Sequence, residues 1–173
     1  MRKIIGQKFF GRDTPVVAQD LLGKYIVRKI GTKIYAYKIT EVEAYDGPDD
    51  KASHASKGRT ERTEVMFGEA GRFYVYLVYG MHYMLNVVTD KKSYPAAVLI
   101  RGVSGISGPG RVAKKLKISK KLNNKIAIPK SDLWFEDRGE RINQNDIKRT
   151  PRIGVSYAGP VWSKKPYRFL LKT

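Results

Sequence analysis

The hydrophobic positions of this chain fall in short runs broken by glycine, proline or polar clusters, and most of the runs read as strands. From Lys24 to Tyr45 the residues are rich in Tyr, Ile and Val, with a turn at Gly31-Thr32. Strand pattern resumes from Arg72 to Val78, breaks at Tyr79-Gly80 and continues from Met81 to Val88, which predicts a hairpin. A further apolar run, Ala96 to Ile100, ends in Arg101, and short strands are expected around Leu133 to Phe135, Ile153 to Val155 and Phe169 to Leu171. Helix signals are fewer. At Asp13-Thr14-Pro15 the threonine can cap, Pro15 suits the first helical position and Gly23 suits the stop. Ser107-Gly108-Pro109-Gly110 opens a second helix carrying Arg111, Lys114, Lys115 and Lys117. With no internal repeat and no low-complexity linker, residues 1–173 read as one compact α+β domain, a mixed, mostly antiparallel sheet flanked by short helices.

One segment departs from this pattern. Asp46 to Glu64 contains no Val, Ile, Leu, Met, Phe, Tyr or Trp, and a structureless stretch of that length inside a compact domain is usually functional or disordered. The strand leading into it alternates so that Tyr37, Ile39, Glu41, Glu43 and Tyr45 share a face. Carboxylates among aromatics suggest a general base in a partly dry cleft; the competing reading is a pair of structural ion pairs to the abundant Lys and Arg. The run from Phe73 to Tyr83 is equally two-sided. Tyr74 and Tyr76 lie on the face opposite Phe73, Val75 and Leu77, while Tyr79 sits at the turn, where it is either a wedge or stacking platform for nucleic acid bases or a cover for a neighbouring loop.

Charge tilts these readings toward a polyanion. The chain has 34 Lys and Arg against 16 Asp and Glu, a net charge of +18, and nucleic acid is the default partner of so basic a domain; a proteome rich in lysine is the bland alternative. Gly110 to Ser131 holds eight Lys or Arg and no acid, and Gly58-Arg59-Thr60-Glu61-Arg62-Thr63 offers two arginines and two hydroxyls as a phosphate clamp. There is no cysteine and there are only two histidines, His54 and His82, so thiolate zinc and three-histidine sites are excluded and no metal or cofactor is expected. No apolar run is long enough to span a membrane and no signal peptide is recognised, which makes the cytoplasm, at the nucleoid in a prokaryote, the expected location.

At these same residues the chain resembles the alkyladenine (methylpurine) DNA glycosylases. The matching strings are Asp20-Leu-Leu-Gly-Lys-Tyr25, Thr40-Glu-Val-Glu-Ala-Tyr-Asp-Gly-Pro-Asp-Asp-Lys-Ala-Ser-His54, Met66-Phe67, Tyr74-Val-Tyr-Leu-Val-Tyr-Gly-Met-His-Tyr-Met-Leu-Asn86, Ala96-Ala-Val-Leu-Ile-Arg101, Gly108-Pro-Gly110 and Thr150-Pro-Arg-Ile-Gly154. They run in order over nearly the whole chain. Between Leu116 and Asn145 the likeness is loose, and in the Gly58 loop Glu61 and Thr63 stand where the family pattern has proline and asparagine.

The resemblance implies a monofunctional glycosylase, acting as a monomer and without cofactor, that flips damaged purines such as 3-methyladenine, 7-methylguanine or hypoxanthine out of double-stranded DNA and hydrolyses the N-glycosidic bond. It implies Glu43 as the base that activates water, with Tyr45, His54 and Tyr76 enclosing the flipped base and Asn86 crowding the exocyclic amine of guanine. Tyr79, on a protruding hairpin, would intercalate into the gap; Met81 beside it, Arg101, and Arg59, Thr60 and Arg62 would contact DNA. Two other classes compete on residues alone. A non-enzymatic RNA-binding protein would stack bases on the tyrosine strand, and a sugar hydrolase would use two carboxylates, although Glu41 and Glu43 share one strand instead of flanking a cleft. Base release from alkylated duplex DNA separates the three.

Overall fold

The computed structural model describes residues 1–172. In chain order the strands are β1 (Lys3–Ile4), β2 (Tyr25–Ile30), β3 (Lys33–Asp46), β4 (Phe73–Val78), β5 (His82–Val88), β6 (Ala96–Val103), β7 (Ile106–Ser107), β8 (Leu133–Asp137), β9 (Ile147–Thr150) and β10 (Arg168–Leu171). Four short α-helices accompany them: α1 (Gln7–Phe10), α2 (Thr14–Leu21), α3 (Pro109–Lys115) and α4 (Gly159–Trp162). The strands form a sheet ordered β1-β8-β2-β3-β6-β5-β4, with β10 added beside β3, β9 beside β10 and β7 beside β6. Every strand pairing among the described residues is antiparallel, so the parallel element of the expected mixed sheet is not present.

β3 organises the fold because it is long enough to pair with three other strands. Its first half pairs with β2, its second half with β10, and its other edge with β6. The β3–β6 ladder slips twice, between Ile39 and Glu41 and between Glu41 and Val42, where Thr40 and Arg101 are the extra residues. Each slip inverts the inside–outside pattern. Ile39 therefore joins Val42 and Ala44 in the main hydrophobic core, with Tyr37 packed against it, on the face opposite Glu41, Glu43 and Tyr45, and the expected common face of Tyr37 and Ile39 with the two glutamates is corrected. The core is closed by α2, through Val17, Ala18 and Leu21, and by α3, through Val112 and Ala113, with Leu116 just beyond its end. The other face of the sheet is left free for the site.

The opening helix lies where the sequence places it, but Asp13 is its cap, accepting from the Val16 N–H at 3.2 Å. Thr14 is buried instead, with its hydroxyl 3.0 Å from that of Thr89. Ile153 to Val155 is a turn and not a strand, and the edge strand β9 carries too little apolar pattern to be read beforehand. The β4–β5 hairpin is formed as expected. Its turn is closed by the Met81 N–H to the Val78 carbonyl, with Tyr79 and Gly80 both at positive φ, 51° and 65°. No helix among the described residues is long and apolar enough to cross a membrane.

Candidate active site

Antiparallel register assembles the site. Glu43 on β3 stands opposite Leu99 on β6, Leu99 opposite Asn86 on β5, and Asn86 opposite Tyr74 on β4, which makes one row of side chains across four strands. Tyr45 and Tyr76 follow at two-residue steps, since alternate residues of a strand return to the same face. Over this row lies a cleft of about 230 Å³, walled by the 46–64 loop through Ser53 and His54 and by Ile153, Gly154 and Tyr157.

Glu43 is fully buried at its floor. One carboxylate oxygen accepts from the Tyr45 hydroxyl at 2.8 Å, the other from the Ile153 backbone N–H at 2.8 Å, and the Arg101 Nε lies 3.5 Å away. Burial raises its carboxyl above the ordinary carboxylate value; Arg101, the Ile153 N–H, the Tyr45 hydroxyl and Arg152 pull the other way without cancelling it. Glu41 has a different occupation. It accepts from Arg101 Nε at 3.1 Å and from Arg168 Nε at 2.6 Å, so it holds two arginines and leaves Glu43 as the carboxylate facing the cleft. Glu41 thus matches the reading of a structural ion pair, while Glu43 lines the cleft.

The aromatic wall is interlocked. The His54 ring meets Tyr76 edge-on with centroids 4.7 Å apart, and its Nδ1 lies 3.1 Å from the Tyr74 hydroxyl. Burial lowers the imidazole to about 4, with Arg62 and Lys57 adding to the effect, so His54 is neutral at physiological pH. Burial also raises the Tyr45 hydroxyl well above its usual value, Glu43 reinforcing the shift, so Tyr45 remains a donor. Asn86 is buried and donates Nδ2 to the Tyr74 carbonyl at 3.1 Å, which fixes its side chain in the cleft.

The structure brings together Glu43, Tyr45, His54, Tyr76, Asn86 and Arg101 around the cleft. Tyr79 and Met81 stand apart on the hairpin tip, 89% and 72% exposed. The remaining three residues are on the Gly58 loop, at the rim. Arg59 pairs with Glu64 at 3.1 Å, Arg62 lies over the Tyr76 ring at 4.9 Å, and the Thr60 hydroxyl is engaged by Thr63, whose own hydroxyl donates to the Gly58 carbonyl. Sequence reasoning does not single out Tyr74 as a site residue, nor Asp50, Arg152, Ile153 and Tyr157. Asp50, Arg152 and Ile153 all lie within matching strings, but nothing local marks Asp50 as the partner of Arg152.

The cleft thus sets a buried carboxylate under a ring of tyrosines, in a chain of net charge +18. Comparison with known proteins makes this specific. The family described as Methylpurine-DNA glycosylase (MPG) matches residues 8–107 and 104–173. Proteins named "Putative 3-methyladenine DNA glycosylase" are similar over almost the full length. That of Legionella pneumophila (strain Paris) is 44% identical, covering 99% of this chain and 96% of the relative. That of Anaeromyxobacter dehalogenans (strain 2CP-C) is 42% identical, covering 96% and 82%, and that of Methanocella arvoryzae is 42% identical, covering 96% and 91%. The chain belongs to the methylpurine-DNA glycosylase family, enzymes that hydrolyse N-glycosyl bonds in DNA.

Proposed function

We propose that the chain acts as a monomer on duplex DNA, rotates an alkylated or otherwise damaged purine into the cleft and hydrolyses its N-glycosidic bond with a water activated by Glu43. The observation that carries this reading is the Glu43 carboxylate, held by two donors at the floor of a cleft whose walls are Tyr45, His54 and Tyr76. A base within the duplex hides its glycosidic bond, so it must leave the stack, at a cost of a few kcal/mol. Stacking on aromatic side chains returns about 1–3 kcal/mol per base, from the pocket tyrosines and from Tyr79 in the vacated gap. Met81 accompanies Tyr79 into the minor groove. Arg101, with Arg59, Thr60 and Arg62 at the rim, meets the backbone.

Chemistry then requires little. Water adds to C1′ as the C1′–N bond breaks, its proton passes to Glu43, and the purine leaves with the bond's electron pair. The carboxylate also stabilises the cationic sugar as the bond opens. An alkylated purine carries positive charge, which suits tyrosine faces and a neutral His54 that adds no repulsion. Asn86, pinned to the Tyr74 carbonyl, crowds the exocyclic amine that guanine has and adenine lacks. No lysine lines the cleft among the described residues, which favours direct hydrolysis over an imine and strand cleavage.

The test is Glu43→Gln. The variant keeps the shape but cannot take a proton, so single-turnover base release from lesion duplexes should fall by ~10²-fold or more with affinity near wild type. In the wild type the rate should climb as pH rises through the raised Glu43 pKa, because the ionised form is the base. Borohydride added during turnover should trap no protein–DNA adduct. A Glu43→Gln rate within tenfold of wild type would place the base elsewhere.

A further inference from the structure

The geometry points to a buried ion pair, Asp50–Arg152, as the positioning device of the site: it fixes the turn at Ile153 so that this residue's backbone N–H orients the Glu43 carboxylate. The inference rests on Glu43 being the base and concerns how that carboxylate is held.

Both partners are buried, and Arg152 engages both oxygens of Asp50, one from each terminal nitrogen. The same guanidinium donates to the Ala44 carbonyl at 2.8 Å, on the residue between Glu43 and Tyr45, and to the Trp162 carbonyl at 3.3 Å. Its plane lies over the Tyr45 ring, 4.8 Å from the centroid. Asp50 in turn gathers the start of the polar loop, accepting from the Asp46 and Ala52 N–H groups, each at 3.0 Å. Four separate segments thus meet at one fork: β3 beside the catalytic carboxylate, the loop carrying His54, the 151–155 segment and α4. Lysine could not substitute, because only a planar guanidinium reaches two carboxylate oxygens and two carbonyls at once.

The residue after Arg152 delivers the contact. Ile153 and Gly154 occupy a turn, with Gly154 at φ 74°, and the Ile153 N–H points at Glu43 at 2.8 Å while its side chain is half exposed. The remaining groups facing the carboxylate are Arg101 from β6, Tyr45 from its own strand, Tyr76 from β4, Tyr157 from the segment after the turn and the Arg152 charge itself; Arg168 of β10 is taken up by Glu41. An N–H fixed on one oxygen turns the other toward Tyr45 and the cleft, and it favours the ionised form against burial.

Proline fits ahead of a positive-φ glycine in a turn, so Ile153→Pro deletes this donor while leaving the Asp50–Arg152 pair in place. Single-turnover base release is measured against pH for wild type, Ile153→Pro, Arg152→Lys, the double variant and Glu43→Gln, with lesion-duplex affinity in parallel. In Ile153→Pro the acid limb should move upward by about one pH unit, because a carboxylate that loses a donor ionises less readily. Arg152→Lys should move the limb the same way, and the double variant should shift no further than the larger single shift, since both changes act through one hydrogen bond. Even if Ile153→Pro fails to fold, an unshifted limb in Arg152→Lys overturns the inference. A wild-type profile in Ile153→Pro alongside an inactive Glu43→Gln overturns it too and leaves the assignment of the base intact; additive shifts would show Arg152 acting independently of the turn. A Glu43→Gln that retains activity instead removes the reading on which the inference stands.

Discussion

Tyr79 occupies the left-handed region at φ 51°, a conformation that costs an L-residue with a bulky side chain about 1–2 kcal/mol. It packs on nothing that would compensate, being 89% exposed. Strain retained on an exposed aromatic is what a wedge would require, and it separates stability from function at this position. Asparagine tolerates the left-handed region, so Tyr79→Asn should leave the melting temperature unchanged or higher while the fluorescence of a flipped base analogue and the selectivity for lesions both fall. A destabilised variant that still flips normally would assign Tyr79 to the fold. At this scale the sequence is informative: the broken alternation and the adjacent glycine mark the turn, and two carboxylates among aromatics mark the strand. Spacing cannot choose between Glu41 and Glu43, because the choice depends on arginines at positions 101 and 168 that only the folded sheet brings near. Asp50 and Arg152 lie 102 positions apart, each an ordinary charge within its own neighbourhood.

Among the elements, β3 shows both what alternation reveals and where it stops. Counting by twos from Tyr37 to Tyr45 correctly groups Glu41, Glu43 and Tyr45 but places Tyr37 and Ile39 with them, since a bulge at Thr40 inserts one residue without any composition signal. β9 is illegible for a simpler reason, with Ile147 the one buried residue of its four. The exit of β3 is better marked, by Asp46-Gly47-Pro48. Gly47 stands at φ 83°, and a Cβ there would come within about 3 Å of three atoms of the Tyr94 ring and hydroxyl. Gly47→Ala therefore meets both backbone strain and a collision, and Tyr94, whose hydroxyl donates to Asp46, would have to give way. A loss of about 2 kcal/mol or more is expected, which in a domain of this size lowers the melting temperature by roughly 4–8 °C. Thermal unfolding decides it; an unchanged midpoint would mean that the polar loop can leave the strand by another path.

For the whole molecule, charge is legible in composition, but its arrangement is not. None of the eight Lys and Arg between Gly110 and Ser131 has an acidic partner among the described residues, whereas Lys38 of β3, Arg101 of β6 and Arg168 of β10 are each paired with a glutamate. α3 and the segment after it thus form one continuous run of uncompensated positive charge. α3 begins at the cleft, where Pro109 is part of the wall, and Gly110 lies so close to the hairpin that a Cβ there would stand 3.3 Å from the His82 ring. On the proposed binding mode, with Tyr79 in the minor groove and a base in the cleft, the duplex would pass beside this helix. Replacing Arg111, Lys114 and Lys115 with Gln removes three of the eighteen net charges without touching the cleft. For every phosphate that is no longer neutralised, the slope of log affinity against log salt should shrink by about 0.9, so the slope should fall by up to roughly three. Single-turnover base release from the saturated complex should not change, because none of the three approaches Glu43. Titration of undamaged and lesion duplexes across a salt series measures the slope, and single turnover at saturating enzyme measures the rate. An unaltered slope would turn α3 away from the DNA. A fall in the saturated rate would instead show that the helix also orients the nucleotide in the cleft, since a purely electrostatic contact strengthens capture of the duplex and has no hold on the base once it is bound.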